Sequence, residues 1–558
     1  VAELHDGLER LRAQLAQADF PLALPDAETG HKTKVELVDQ LDDYILPRLA
    51  RLDAPLLAVL GGSTGAGKST ITNSLVGDDV STPGVLRPTT RTPVLVCNPD
   101  DLEWFEDGGI LPELPRSTGE RPTGAGLHLV TSPQVPVGLA ILDSPDIDSV
   151  EVANHDLAAQ LLGAADLWLF VTTAARYADA VPWQYLARAA ERSIALAMVV
   201  NRIPPGAEQE ISNHLRSMMG DRGLTDAELF AIAEGPLVDG QIGAPLAPLQ
   251  KWLAGLVSDA ATRDQMVRSS LEGALASVAG RADRVADAIT TQAEASQRLL
   301  AFAQNQYEAA LDQVDADVGS GALLRGEVMG QWKEIVGTGE FMDTLQRTVG
   351  RTRDKVMSAL TGKKSVDDEV RGELEASLEV LVRESADRTA LAVVKGWESM
   401  PGGSEALVDA PRFIDRSSPE LRDRVRVAIT EWERGVLDVV REMADDKIAT
   451  ARFLSFGINA IGVAVMVAVF ASTTGLTGGE LAVSGGTAAV SQTILTAVFG
   501  EQALRDVVAV VRDDLETRLA QIFTNELDRF TALLSDIPAS TTADELRAGA
   551  RAIESLAL

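Results

Sequence analysis

The sequence predicts an α/β domain, a mostly parallel sheet with helices on both faces, joined to an extended all-α bundle or stalk that carries an apolar hairpin. Three observations predict it. Residues 55–260 alternate short apolar runs with helical stretches, the pattern of a parallel sheet with crossovers. Residues 261–558 lose the strand signals and run in helical stretches longer than ordinary globular helices. Within that half, Phe453–Gly479 is a run of 27 residues without charge, and Leu481–Gly500 is a further 20.

Composition narrows the function classes. The 558 residues are 46% apolar but only 4% aromatic, which suits long helices packed through small side chains. A formal charge of −32 argues against a nucleic-acid partner, because displacing counterions needs clustered cations. It argues equally against simple adsorption to anionic lipid. The one cysteine, Cys97, excludes an internal disulfide and sits in an apolar strand-like run, so it reads as core. His5, His31, His128, His155 and His214 are scattered without metal-ligand spacing. The polar, amphipathic N-terminal stretch has no h-region of a signal peptide.

In residues 1–54, Leu4, Leu8, Leu11 and Leu15 fall on one face of a helix, which the Pro/Asp/Gly stretch from Phe20 to Gly30 ends. A second helix carries Val38, Leu41, Ile45, Leu49 and Leu52 as its stripe, with Pro47 inside it as an expected kink. Neither has a sheet of its own to cover. Both are expected to pack on helices from elsewhere in the chain.

Next, the apolar run from Pro55 to Leu60 feeds Gly62-Ser63-Thr64-Gly65-Ala66-Gly67-Lys68-Ser69, and Thr70–Val76 opens a helix. This is G-x-x-x-x-G-K-[ST] in its required strand–turn–helix setting, the signature of a P-loop NTPase. Glycines let the backbone fold tightly around a phosphate with N–H groups pointing inward at a helix N-terminus. Lys68 is the expected ligand of the β- and γ-phosphates, and the Ser69 hydroxyl that of Mg²⁺.

The expected strands are Leu56–Leu60, Val94–Cys97, Leu127–Val130, Val137–Leu142, Leu167–Thr172, Ile194–Val200 and Leu229–Ala233. Ligands of such sheets lie at the carboxyl ends of the strands, and informative residues follow there. Asp143, in Asp143-Ser144-Pro145-Asp146, is the expected second anchor of Mg²⁺, with a capping or turn Asp as the alternative. Upstream lies Arg87-Pro88-Thr89-Thr90-Arg91-Thr92-Pro93. Either Thr89 or Thr90 could complete the Mg²⁺ shell when a γ-phosphate is present, making the segment a switch. Arg87 reads as a transition-state cation supplied in cis, or as a solvated loop residue. After Val200 come Asn201-Arg202-Ile203-Pro204, so Asn201 and Arg202 are candidate nucleotide contacts while Pro204 offers no carboxylate to a base.

This order of motifs resembles the G domain of the dynamin-like GTPases, in particular their bacterial branch. The likeness rests on Gly61-Gly62-Ser63-Thr64-Gly65-Ala66-Gly67-Lys68-Ser69-Thr70 and Leu86-Arg87-Pro88-Thr89-Thr90-Arg91-Thr92-Pro93. It implies a protein that binds and hydrolyses GTP with Mg²⁺, couples this to membrane association or remodelling, and self-associates through its G domains. Lys68, Arg87 and Thr90 would then carry catalysis. Two departures stand out: the family's Asp-x-x-Gly ends in Asp146, and the guanine-reading Asp is replaced by Pro204. Thr64 occupies the place where eukaryotic dynamins put a catalytic Gln. A nucleotide-gated membrane scaffold with little hydrolysis and a P-loop ATPase with a helical arm are the competing readings.

The helical half is expected to run Thr262–Val318, Leu323–Leu360, Val366–Trp397, Pro419–Phe453 and Glu501–Ile537, with a last helix near Ala543–Leu556. Residues 453–500 read as a hairpin entering or crossing a bilayer around Ile458–Phe470, although an apolar segment of this length also fits a buried hairpin or an oligomer interface. Lys447 and Arg452 before it and Arg505 after it place both ends in the cytoplasm, with inner-membrane lipid as the partner and the cytoplasmic face of the cell membrane as the location. Arg347, Arg351 and Lys355, followed by Lys363-Lys364, form a basic stripe that reads as a headgroup or G-domain patch or as a solvated face.

Overall fold

The structure is a computed structural model that describes residues 1–81, 92–107, 110–111, 114–119, 126–147, 152–179, 183, 186–187, 195–225, 227–258, 260–320, 366–444, 458–471, 495 and 501–556. Among the described residues eight strands form one sheet: β1 (Leu56–Gly62), β2 (Val94–Cys97), β3 (Arg116–Ser117), β4 (Leu127–Thr131), β5 (Leu139–Asp143), β6 (Leu167–Thr173), β7 (Ala195–Ile203) and β8 (Glu228–Ala233). Their order is β3-β4-β2-β5-β1-β6-β7-β8. All neighbours are parallel except β2 and β5, which pair antiparallel with Leu95 opposite Leu142.

Helices accompany them in chain order: α1 (Ala2–Gln17), α2 (Ala27–Gln40), α3 (Leu46–Ala50), α4 (Lys68–Val76), α5 (Glu103–Glu106), α6 (Val152–Gly163), α7 (Glu208–Gly220) and α8 (Ala247–Leu256). The helical half adds α9 (Ala260–Gly319), α10 (Val366–Glu398), α11 (Gly403–Ala406), α12 (Leu421–Ala444), α13 (Ile458–Ala471), α14 (Glu501–Leu533) and α15 (Ser540–Glu554). The expected helix Leu323–Leu360 and the basic stripe from Arg347 to Lys364 lie outside the described residues.

Two compact units divide the chain. One comprises Val1–Phe20, Pro25–Thr291 and Pro538–Leu558; the other comprises Pro21–Leu24 and Gln292–Ile537. In the first, β1 is buried along its whole length, with alternate residues serving opposite faces of the sheet. Leu57 and Val59 join a cluster with Leu161 and Leu162 of α6 and Leu215 of α7. Leu56, Ala58 and Leu60 join another with Ile71 of α4 and Leu249 and Leu253 of α8. A strand covered on both faces reads as a continuous apolar run, which is why β1 is legible in the sequence.

The N-terminal leucines find partners in the same unit. Leu4, Leu8, Leu11 and Leu15 are buried with Leu271, Val278 and Val285 of α9 and Leu546 and Ile553 of α15. Between α2 and α3 the backbone widens into a π-turn at Leu41–Ile45. Pro47 lacks an N–H and its ring crowds the carbonyl four residues back, so the expected kink takes this form.

In the second unit, α10, α12, α13 and α14 pack with the later turns of α9 around Trp397, Trp432 and Phe530. Both indoles keep a partner: Trp397 Nε1 donates to Leu299 O at 2.9 Å, and Trp432 Nε1 to Val511 O at 2.8 Å. The described part of the apolar hairpin is α13, with Ile461, Val463, Val465, Met466, Val467, Val469 and Phe470 buried in this core. The described 14 residues of α13 rise about 21 Å. Among the described residues no helix is long and apolar enough to cross a membrane, and the expected transmembrane segment is corrected accordingly at α13. The rest of residues 453–500, apart from residue 495, lies outside the described residues.

Candidate functional site

The site forms where β1 ends and α4 begins. Gly62 (φ 150°), Gly65 (φ 73°) and Gly67 (φ 97°) turn the chain through conformations that side chains resist. A Cβ at Gly67 would come within 2.5 Å of Asn201 Nδ2, so the third glycine also makes room for β7. Ser63, Thr64 and Ala66 fill the rest of the loop, and Thr70 lies on the first turn of α4. The turn puts the N-terminus of α4 at its own mouth, the end of a helix that seats an anion.

Three contacts hold the loop's carbonyls. Lys68 Nζ donates to Gly62 O at 3.0 Å, Asn201 Nδ2 to Ala66 O at 3.0 Å, and Arg176 Nη1 to Thr64 O at 3.2 Å. Asn201 reaches the loop because β7 carries a register shift between Val200 and Ile203, with Arg202 in the left-handed region at φ 54°. The structure therefore places Asn201 on the P-loop backbone and leaves Arg202 exposed.

Asp143, at the end of β5, is wholly buried beside Ser69. Ser69 Oγ donates to Asp143 Oδ2 at 2.6 Å, and Ser81 Oγ donates to the same oxygen at 2.5 Å. Asn73 positions Ser81: its Oδ1 accepts from Ser81 N at 2.8 Å and its Nδ2 donates to Ser81 O at 2.7 Å. Burial pushes the Asp143 carboxyl up, while the Ser69 and Ser81 hydroxyls and the charge of Lys68 pull it back down. Asp143 Oδ1 is buried without a hydrogen-bond partner. A bare carboxylate oxygen beside a serine hydroxyl is the hard-oxygen pair a Mg²⁺ ion takes, so these residues fit that ion.

Asp146 completes the site. Its Oδ1 lies 2.5 Å from Lys68 Nζ, and both side chains are buried. The ammonium that a phosphate would seek is thus already paired with a carboxylate.

Of the residues expected from the sequence, Gly62 to Thr70, Asp143 and Asn201 come together here. Arg87, Thr89 and Thr90 lie outside the described residues. Three contributors escaped the sequence reading: Ser81, Asn73 and Arg176. Arg176 follows the carboxyl end of β6, where ligands of such sheets gather, and that position was its only signal. Elsewhere, His5, Asp6 and Glu9 on α1 bring one ligand atom each within 4.8 Å of one another, a cluster made by helical spacing on a largely exposed face.

No protein-family model and no curated protein sequence matches the chain. Among solved structures it is similar to an oligomerised bacterial dynamin pair, described as providing a mechanism for the long-range sensing and tethering of membranes. The identity is 10% over 96% of this chain and 95% of that one, with a TM-score of 0.40. A second structure of the same description gives 11% identity over 96% of each chain and a TM-score of 0.41. The chain is also similar to Era in complex with MgGDPNP and part of 16S ribosomal RNA, at 20% identity over 36% of this chain and 56% of that one, with a TM-score of 0.25. The first two are bacterial dynamins, the family that the motifs at Gly62–Thr70 and Leu86–Pro93 resemble.

Proposed function

We propose that the chain is a dynamin-like GTPase that uses Mg²⁺ and couples GTP binding and hydrolysis to association with, or remodelling of, the inner membrane from its cytoplasmic face. The observation that carries this reading is the alignment of Lys68, Ser69 and the bare Oδ1 of Asp143 around one helix N-terminus. Lys68 and the loop amides hold the β- and γ-phosphates, and Ser69 and Asp143 hold the ion. Mg²⁺ supplies charge neutralisation across the phosphates when bound. In hydrolysis a water oxygen bonds to the γ-phosphorus as its bond to the bridging oxygen breaks, giving GDP and phosphate. This chain's residues contribute position and positive charge: Lys68 in the P-loop, with Arg87 and the Thr89 or Thr90 hydroxyl assigned from the resemblance.

Base choice needs a group other than Asn201, whose amide is committed to Ala66 O, and other than Pro204. Glu234 is our candidate. It follows β8, its N–H donates to Ile203 O at 2.8 Å, and its side chain is exposed at that corner. A carboxylate there would accept the two N–H bonds that guanine offers and adenine does not.

Lipid contact is assigned to the part of residues 453–500 outside α13, and self-association to the G domains. The Lys68–Asp146 contact favours one second reading, a nucleotide-gated membrane scaffold with little turnover. Mg²⁺-dependent hydrolysis of GTP, with ATP as control and with or without phosphatidylglycerol vesicles, separates the two. Lipid-stimulated GTP turnover that Lys68→Ala abolishes is expected. Tight GTP binding without turnover would leave the scaffold.

A further inference from the structure

A cleft of about 480 Å³ opens in the second unit, between the segment 411–420 that leads into α12 and the late turns of α14. In a chain of net charge −32 its lining is cationic: Arg412, Arg416, Arg424 and Arg529 face it, against one lining carboxylate, Glu420. The volume suits a small ligand.

The four arginines fall into two pairs. Glu526 is wholly buried behind the cleft and accepts from Ser418 N at 2.8 Å and from Arg529 Nη1 at 2.8 Å, with Arg424 Nη1 at 3.8 Å. Arg529 also donates to Arg416 O at 2.7 Å. That carboxylate fixes two guanidiniums in the wall. Arg412 and Arg416 are exposed and, among the described residues, form no ion pair. Their guanidinium carbons lie 5.1 and 5.5 Å from the centre of one ring, Phe413.

Phe413 is itself anomalous. It stands in the left-handed region at φ 72°, where a bulky residue is strained, and its side chain is 57% exposed. Neither core packing nor turn chemistry calls for an aromatic there. Strain of this kind is retained where the surroundings over-determine it, most often at ligand-binding positions. Both cations lie within cation–π reach of that one ring. A polyanion in the cleft would pair with them, and planar guanidiniums match phosphate oxygens two at a time.

We propose that this cleft is a binding site for a phosphate-bearing anion, distinct from the P-loop. It does not rest on the GTPase reading. Two sources share the chemistry, a soluble polyphosphate and a lipid headgroup. Helix α12 rises about 36 Å from the cleft to its other end, so a headgroup here would be a contact separate from that end of the helix.

The test uses the full chain with Lys68→Ala, which removes the P-loop's own phosphate ligand. Calorimetric titration with tripolyphosphate compares it with the same chain carrying Arg412→Ser and Arg416→Ser. Among the described residues neither arginine has an ion pair to lose, so the fold is expected to survive. Binding should weaken about ten-fold or more, the loss of at least one charged contact. Sedimentation with phosphatidylglycerol vesicles runs in parallel. Loss of vesicle binding on the same substitutions assigns the phosphate to lipid; loss with tripolyphosphate alone assigns a soluble anion. No arginine-dependent binding in either arm overturns the proposal. Should Lys68→Ala fail to fold, the chain with its P-loop intact must titrate to two tripolyphosphate sites that become one in the arginine variant, and an unchanged count overturns it equally.

Discussion

Asp146 Oδ1 sits 2.5 Å from Lys68 Nζ, inside the P-loop and out of solvent. A charge pair of this kind must be opened before the ammonium can serve a phosphate, so a bound nucleotide would compete with the protein's own carboxylate. Asp146→Asn is expected to raise GTP affinity about ten-fold, the value of one charge-assisted hydrogen bond returned to the ligand. On the proposed assignment, in which Lys68 serves the γ-phosphate, GDP should gain less. Calorimetry with both nucleotides checks this. Weaker GTP binding in the variant would mean that Asp146 instead holds Lys68 in its productive place.

Asn201 and Glu234 make opposite predictions about the base. Asn201 Nδ2 supports Ala66 O, so Asn201→Ala should cost GTP and ATP alike, by about 0.5–1.5 kcal/mol for a lost hydrogen bond. Glu234→Gln should leave ATP untouched and reduce GTP binding, because one carboxylate oxygen becomes a donor facing donors. Competition of ATP against labelled GTP reads both. Equal losses for the two nucleotides in Glu234→Gln would end its role as a base reader.

These residues also mark the limit of what the sequence offers. The P-loop was legible because its pattern is local: three glycines, Lys68 and Ser69 within eight positions. Strands β1, β6 and β7 were legible because covered strands are continuous apolar runs. The direction of β2 was not, since Val94–Cys97 carries no signal of whether its neighbour runs with or against it. Arg116–Ser117 is too short and too polar to show as β3. The Lys68–Asp146 and Arg176–Thr64 contacts join residues far apart in the chain, and no spacing rule reaches that far. Apolarity alone left α13 open between bilayer and core, and its packing partners decide where the described part sits.

At the other end of β1, Arg48 Nε lies 3.0 Å from Asp166 Oδ1, with both groups buried. Asp166 Oδ2 also accepts from Leu57 N at 2.8 Å, so one carboxylate ties α3 to β1 and to the start of β6. Asp166→Asn or Arg48→Met alone should destabilise the chain by about 3–5 kcal/mol, leaving one buried charge unpaired. The double variant should cost less than the sum. Calorimetric unfolding of the four proteins tests the coupling, and strict additivity would dissolve it.

Cys97 makes a prediction about pH. Burial first, then the charges of Asp101 and Glu106, push its thiol up to about 12. The folded value lies above the unfolded one, so the thiol's contribution to stability is whole below the unfolded pKa and is lost as pH rises through the folded value. At a pH near the about 8.5 of a free thiol, Cys97 should resist a disulfide reagent in the native chain and react at once in denaturant. Rapid native labelling would show that β2 opens.

The last prediction concerns Phe470, whose ring meets Trp432 edge-on at 5.7 Å between centroids. Both side chains are buried, and Gly462 on the same helix lies against Leu437, where a Cβ would come within 2.7 Å of the leucine. A helix apolar on every side belongs in a core or in lipid, and these contacts put α13 in a core. Phe470→Ala should therefore lower the stability of the lipid-free chain by about 3–5 kcal/mol, the usual cost of emptying such a site. Trp432 lies beside the cavity, so its fluorescence should shift as the core loosens. If α13 instead left the bundle for a bilayer, vesicles would release Phe470 from Trp432. Wild type and variant would then converge in stability once lipid is present. A difference that persists unchanged with vesicles keeps α13 in the bundle and leaves any lipid contact to the residues that follow it.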